Sequence, residues 1–292
     1  MKNYFIAIMC ALFISPALTN EDMFVKYDVV TSRDAQRIAY SVYGSGDMTL
    51  VFVHGWSCDS RYWQRQLSSF EKKYKVIAID LAGHGNSSLG RGDYTINAFA
   101  EDVQSVLNNE KVNNAILIGH SMGGAVIASA ATLMPDRVKG IIGIDTLQNV
   151  GERIPREVLD SMVKPFEANF DHAMKEFVAE SLLESTDENL KRWITEDMSA
   201  APRSVAINAF GHYLSQYVTG ESSTIFKDVN VPVVSINSRL WPTNPEENNK
   251  HIKNYRLVYI ENTGHFPMLE SPEEFNSLLG EAVNNLLAAT NN

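Results

Sequence analysis

Ser121 lies in Gly119-His120-Ser121-Met122-Gly123-Gly124, between an apolar run, Ala115–Gly119, and a small-residue segment, Met122–Met134. A strand entering that turn and a helix leaving it require glycines around the serine, because a Cβ there would clash. Such a turn lifts the hydroxyl to the carboxyl edge of a sheet, into the field of a helix N-terminus. A serine hydroxyl is a weak nucleophile at neutral pH and needs a base within hydrogen-bonding reach. Of the seven histidines, His265 follows directly on the apolar run Tyr255–Ile260, which brings it to the same sheet edge. His172, His212 and His251 fall in helical patterns, and His120, next to the serine, points elsewhere from the turn. Attack on a carbonyl builds negative charge on its oxygen, which aimed backbone N–H groups stabilise. Met122, directly after the serine, is expected to supply one. Trp56, after His54-Gly55, is expected to supply the other, with Gly55 allowing a close approach.

These groups need a frame. Phe24–Val30 and Arg37–Tyr43 read as strands joined by the turn Ser32-Arg33-Asp34. Thr49–His54, Lys75–Asp80, Ala115–Gly119 and Val138–Asp145 are unbroken apolar runs, the pattern of strands covered on both faces. Helical patterns at Tyr62–Phe70, Ile96–Leu107 and Met122–Met134 alternate with them. That rhythm implies an α/β fold with a mostly parallel sheet and helices on both faces. Between about Thr146 and Phe226 the pattern is helical only, over Arg156–Phe170, His172–Leu183, Asp187–Met198 and Arg203–Tyr217. Strand patterns resume at Val231–Asn237 and Tyr255–Ile260, and Pro272–Ala288 reads as a last helix. A helical block inserted between strands of one sheet reads as a lid over its active edge.

The 292 residues carry 35 acidic against 25 basic side chains, a formal charge of −10. A negative surface repels phosphate and anionic lipid, which argues against nucleic acid and charged membrane surfaces as partners. With two cysteines, Cys10 and Cys58, no disulfide framework is expected, and Cys58 reads as a small buried filler. A basic start (Lys2), an apolar run over Tyr4–Ile14 and the small-residue segment Ser15–Thr19 have the order of a secretory signal peptide. The apolar run is shorter than the ~20 residues that span a bilayer. The expected product is exported, secreted or periplasmic, without stable membrane insertion once the signal is removed.

Four motifs occur in order: HGW at His54–Trp56, DLAGHGNS at Asp80–Ser87, GHSMGG at Gly119–Gly124 and GHFPMLESPEEF at Gly264–Phe275. Together they resemble the α/β-hydrolase superfamily, in the capped branch that holds esterases, lactonases, dehalogenases and epoxide hydrolases. The resemblance spans nearly all of the chain after the signal. It implies a mostly parallel sheet of about eight strands with an inserted helical cap. The expected organisation is a signal peptide over 1–20, a core over 21–146 and 226–292, and a cap over 147–225. Members with aspartate at the nucleophile position open epoxides or cleave carbon–halogen bonds, whereas Ser121 points to acyl transfer. Asp80 and His84 resemble the family's structural D-x-x-G-x-G-x-S loop. His54, Asp80 and His84 lack metal-ligand spacing, and neither metal nor cofactor is expected.

The family's third catalytic group, an acid, usually follows the strand read here over Pro232–Asn237. Laid on that pattern it falls on Trp241, and no carboxylate occurs between Asp228 and Glu246. Some capped members carry the acid at the end of the preceding core strand, a version that Arg137–Asp145 resembles and that makes Asp145 the candidate. Glu246 and Glu247 stay as alternatives. The acid would hold the useful imidazole tautomer and stabilise the imidazolium. The expected activity is hydrolysis of small to medium carboxylic esters or lactones through an acyl-enzyme on Ser121. Met162, Phe166, Phe170, Met174, Phe177, Trp193, Phe210, Tyr213 and Tyr217 are candidate walls of an apolar pocket. An aminopeptidase or amidase would need acidic lid residues for an α-amino group, with Glu152, Glu157, Glu167, Glu176, Glu180 and Glu184 available. A carbon–carbon hydrolase and a ligand receptor with little turnover are the remaining alternatives.

Overall fold

The computed structural model describes residues 25–290; the expected signal segment, 1–20, lies outside the described residues. Eight strands form one sheet in the order β1-β2-β4-β3-β5-β6-β7-β8. They are β1 (Val25–Thr31), β2 (Arg37–Tyr43), β3 (Thr49–Val53), β4 (Lys75–Ile79), β5 (Ala115–His120), β6 (Val138–Ile144), β7 (Val233–Asn237) and β8 (Tyr255–Tyr259). β1 and β2 pair antiparallel, and β2 pairs antiparallel with β4. All further pairs, from β4 through β3 to β8, are parallel. β3, β5 and β7 are buried at every position, as their unbroken apolar sequences require, whereas β1 at the edge is half exposed.

Helices cover both faces. α1 (Gln64–Phe70) follows β3, α2 (Ile96–Asn109) follows β4, and α3 (Met122–Leu133) follows β5. α2 starts where the Thr95 hydroxyl accepts the Ala98 N–H at 3.1 Å. α2 packs on α3 over one face of the sheet, while the last helix, α11 (Pro272–Thr290), packs on α1, β6 and β7.

Between β6 and β7 the chain is helical: α4 (Arg156–Ala168), α5 (Phe170–Ser181), α6 (Glu188–Ser199), α7 (Arg203–Thr219) and α8 (Glu221–Thr224). α9 (Pro245–His251) then links β7 to β8, and α10 (Pro267–Glu270) precedes α11.

Parallel pairing puts the carboxyl ends of the central strands side by side. Val53 is in register with Gly119, His120 with Ile144, Ile144 with Ile236, and Asn237 with Tyr259. The segments leaving these ends carry Trp56, Ser121, Asp145, Ser238 and His265, so strand register alone gathers groups far apart in sequence. The approach of β3 to the first turn of α3 is very tight: a Cβ at Gly123 would sit 2.6 Å from the His54 carbonyl oxygen.

Candidate active site

Ser121 caps α3 with φ +52° and ψ −120°, a conformation that L side chains rarely adopt. Its neighbours hold it there. The Ser121 N–H donates to the Ile144 carbonyl at 3.0 Å, and its carbonyl accepts the Thr146 hydroxyl at 2.8 Å and the Gly124 N–H at 2.9 Å. Backbone held in such a region costs on the order of 1–3 kcal/mol. The result is a side chain turned out of the strand–helix junction. The loop after β3 abuts it, since a Cβ at Gly55 would lie 3.3 Å from Ser121 Cβ.

Asp145, also at positive φ (+42°), follows β6. Its Oδ1 accepts the Ser238 N–H at 2.7 Å and the Ser238 hydroxyl at 2.8 Å, and its Oδ2 lies 2.6 Å from His265 Nδ1. Asp145 and His265 are 1% and 3% exposed, so this charge-assisted contact is shielded from water. With Nδ1–H donated to the carboxylate, the neutral His265 imidazole carries its lone pair on Nε2. Glu247, by contrast, pairs with Lys250 at 2.6 Å and His251 at 3.2 Å within α9. Trp241, where the commoner pattern would put an acid, packs its ring on His265 at a centroid distance of 4.5 Å.

Two supports of His265 escaped sequence reasoning. The His265 N–H donates to Ser181 O at 2.8 Å, fastening His265 to the end of α5. His120, next to the serine, lines the same cavity, and its Nε2 donates to the His265 carbonyl at 2.8 Å with its ring 4.6 Å from the His265 ring. Burial, then the neighbouring His265, push the His120 pKa well down, so it stays a neutral donor.

Ser121, Asp145 and His265 line one cavity of about 510 Å³. Trp56, Met162, Phe177, Phe210, Tyr213 and Tyr217 form much of its apolar and aromatic wall. The other four candidate wall residues do different work. Phe166 packs against Trp56 and Phe210. Phe170 and Met174 are buried in the helical block. Trp193 lies on Tyr62, with ring centroids 4.9 Å apart. Of the six acidic residues weighed for an amino-group pocket, Glu152 lines the cavity. Met122, fully buried, begins α3 directly after the serine. Cys58 is buried at the cavity wall, with Sγ 3.3 Å from the Trp56 carbonyl, and burial pushes its thiol pKa up.

The DLAGHGNS segment is a structural loop. Asp80 accepts the Ser60 N–H at 2.9 Å and the Asn86 N–H at 2.8 Å. His54 Nδ1 lies 2.8 Å from the Gly55 carbonyl, while its Nε2 accepts the Leu81 N–H at 3.1 Å. Burial lowers the pKa of both His54 and His84, the latter to about 3. Asp80, through Ser60, and His54, through Leu81, therefore tie the segments after β3 and β4 to each other. No helix of the described residues is long and apolar enough to cross a membrane.

A family model described as "Alpha/beta hydrolase family" matches residues 50–278. The AB hydrolase superfamily protein YisY of Bacillus subtilis is 24% identical over 257 residues, covering 80% of this chain and 91% of its own. Among solved structures, an esterase from Exiguobacterium antarcticum superposes with a TM-score of 0.79 at 19% identity, covering 89% of this chain and 100% of that one. Est816, described as an N-acyl homoserine lactone degrading enzyme, superposes with a TM-score of 0.69 at 27% identity, covering 87% of this chain and 99% of its own. With the match spanning most of the sequence and the eight-stranded sheet in place, the chain belongs to the alpha/beta hydrolase family.

Proposed function

We propose that the protein is an exported serine hydrolase that cleaves small to medium carboxylic esters or lactones through an acyl-enzyme on Ser121. One observation carries this reading: the 2.6 Å Asp145–His265 contact lies in the wall of the same cavity as a serine at φ +52°. His265 Nε2 takes the Ser121 proton as Oγ attacks the carbonyl, and Asp145 holds the tautomer and stabilises the imidazolium. The N–H groups of Trp56 and Met122 receive the developing oxyanion. His265 then protonates the leaving group and, in the second half-reaction, activates the water that frees Ser121. No cofactor takes part in this cycle. Helices α4–α8 act as the cap, and their aromatic wall favours an apolar acyl or alcohol group. The ester and lactone classes draw support from the esterase and lactone-degrading neighbours.

An aminopeptidase or amidase is the second reading, favoured by Glu152 at the cavity wall. A panel of p-nitrophenyl esters, lactones and aminoacyl anilides, with Ser121→Ala as blank, separates the two. Ester or lactone turnover that Ser121→Ala abolishes supports the proposal. Turnover of anilides alone moves the activity to amides, and ligand-induced stabilisation without turnover makes the protein a receptor. Export predicts that material recovered outside the cytoplasm has lost Met1–Ala17 by intact mass; full-length secreted protein contradicts it.

A further inference from the structure

Trp56 belongs to two parts of the molecule at once. Its main chain lies in the loop after β3, but its indole is built into the helical block. Nε1–H donates to the Ala206 carbonyl of α7 at 2.7 Å. The ring stacks on Phe210 of α7 at 4.5 Å and 23°, and meets Phe166 of α4 and Phe177 of α5 edge-on at 5.0 and 5.3 Å. It is 4% exposed. An indole has only two side-chain torsions, so a ring gripped by three helices and hydrogen-bonded at its rim restrains the backbone that bears it.

We infer that the Trp56 indole is a positioning group: by fastening the oxyanion-loop backbone to α4, α5 and α7, it sets the direction of the Trp56 N–H. This rests on the reading of that N–H as an oxyanion donor. The helical block then contributes to the rate of the chemical step, and it stays seated during turnover, because lifting it would drag the donor out of line. A donor aimed at developing charge acts on the transition state and not on the bound ester. Loosening it therefore lowers kcat and leaves KM nearly unchanged.

The test is Trp56→Phe, which keeps an aromatic ring on Phe210 and deletes the bond to Ala206. A misdirected donor predicts a roughly tenfold fall in kcat with KM little changed. The inhibition constant of an aryl boronate, whose tetrahedral adduct carries the oxyanion, rises by the same factor. Trp193→Phe is the control: it weakens another contact between block and core, on Tyr62, and leaves kcat and boronate inhibition unchanged. If Trp56→Phe fails to fold, Phe210→Leu approaches the same ring from α7 and must give the same paired loss in kcat and boronate affinity. Unchanged kcat in Trp56→Phe, a loss confined to KM, or an equal loss in Trp193→Phe overturns the inference while the serine mechanism stands. Wild-type protein without ester turnover or fluorophosphonate labelling overturns both.

Discussion

Replacing Asp145 by asparagine probes the triad with almost no change of shape. The outcome follows from which atoms meet the side chain. Oδ1 of Asp145 accepts two donors from Ser238, its N–H at 2.7 Å and its hydroxyl at 2.8 Å. The hydroxyl can rotate to accept, but the backbone N–H cannot. The asparagine oxygen must therefore face Ser238, since the opposite flip would leave a buried N–H unpaired at about 1–3 kcal/mol. The amide NH2 then faces His265 and can only donate. That forces the imidazole into the tautomer with its proton on Nε2, where it cannot take the proton of Ser121. In a serine–histidine–aspartate triad this inversion costs about 10⁴ in kcat, or about 5 kcal/mol of transition-state stabilisation. Stopped-flow kinetics on a p-nitrophenyl ester, with thermal melts to show that folding is intact, would measure it. Glu247→Gln is the companion, because Glu247 is engaged with Lys250 and His251, and its kcat should stay near wild type. Less than a tenfold loss for folded Asp145→Asn, or a large loss for Glu247→Gln, refutes the assignment of Asp145.

Other regions give independent checks. Cys58 is buried and its thiol pKa is raised by that burial, so iodoacetamide should alkylate it only after unfolding; prompt labelling of native protein contradicts this. Met174, fully buried in α5, should cost about 2–5 kcal/mol when truncated to alanine, read from urea unfolding; a neutral result would mean the helical block is loosely packed. Burial opposes ionisation of Glu110, but bonds from Lys26, Lys75 and Tyr40 outweigh it and hold its carboxyl down at about 2, against an ordinary 4.5. A depressed carboxyl stabilises the fold above its unfolded value, and that contribution is lost as pH falls from about 4.5 toward 2. Thermal melts of Glu110→Gln should lie below wild type at pH 6 and converge with it near pH 2; parallel curves contradict the pairing.

The sheet was legible because its central strands are unbroken apolar runs, and the strand end that carries Ser121 announces itself by its glycines. His265 was legible as the histidine directly after a strand. Asp145 was not readable from its local sequence, where it looks like any strand-end carboxylate; the resemblance singled it out, and Ser238 and His265 give it its partners. The walls of the cavity were only partly legible. Phe166 and Phe177 are both apolar positions on amphipathic helices, yet only Phe177 faces the cavity, because a stripe that packs on the core and one that lines a hole look alike in sequence. α9 carries no apolar periodicity in PEENNKH; Asn244, which accepts the Glu247 N–H, and Pro245 start it instead. The indole–carbonyl bond from Trp56 to Ala206 joins residues 150 positions apart, a separation no local pattern encodes.

The measurement closest to the core of the proposal is peptide-resolved mass spectrometry of protein treated with a fluorophosphonate. An activated Ser121 predicts one phosphonyl adduct on the peptide containing Ser121, and none on folded Ser121→Ala. An adduct on a different residue, or labelling that survives Ser121→Ala, would contradict the assignment of the nucleophile and the mechanism built on it.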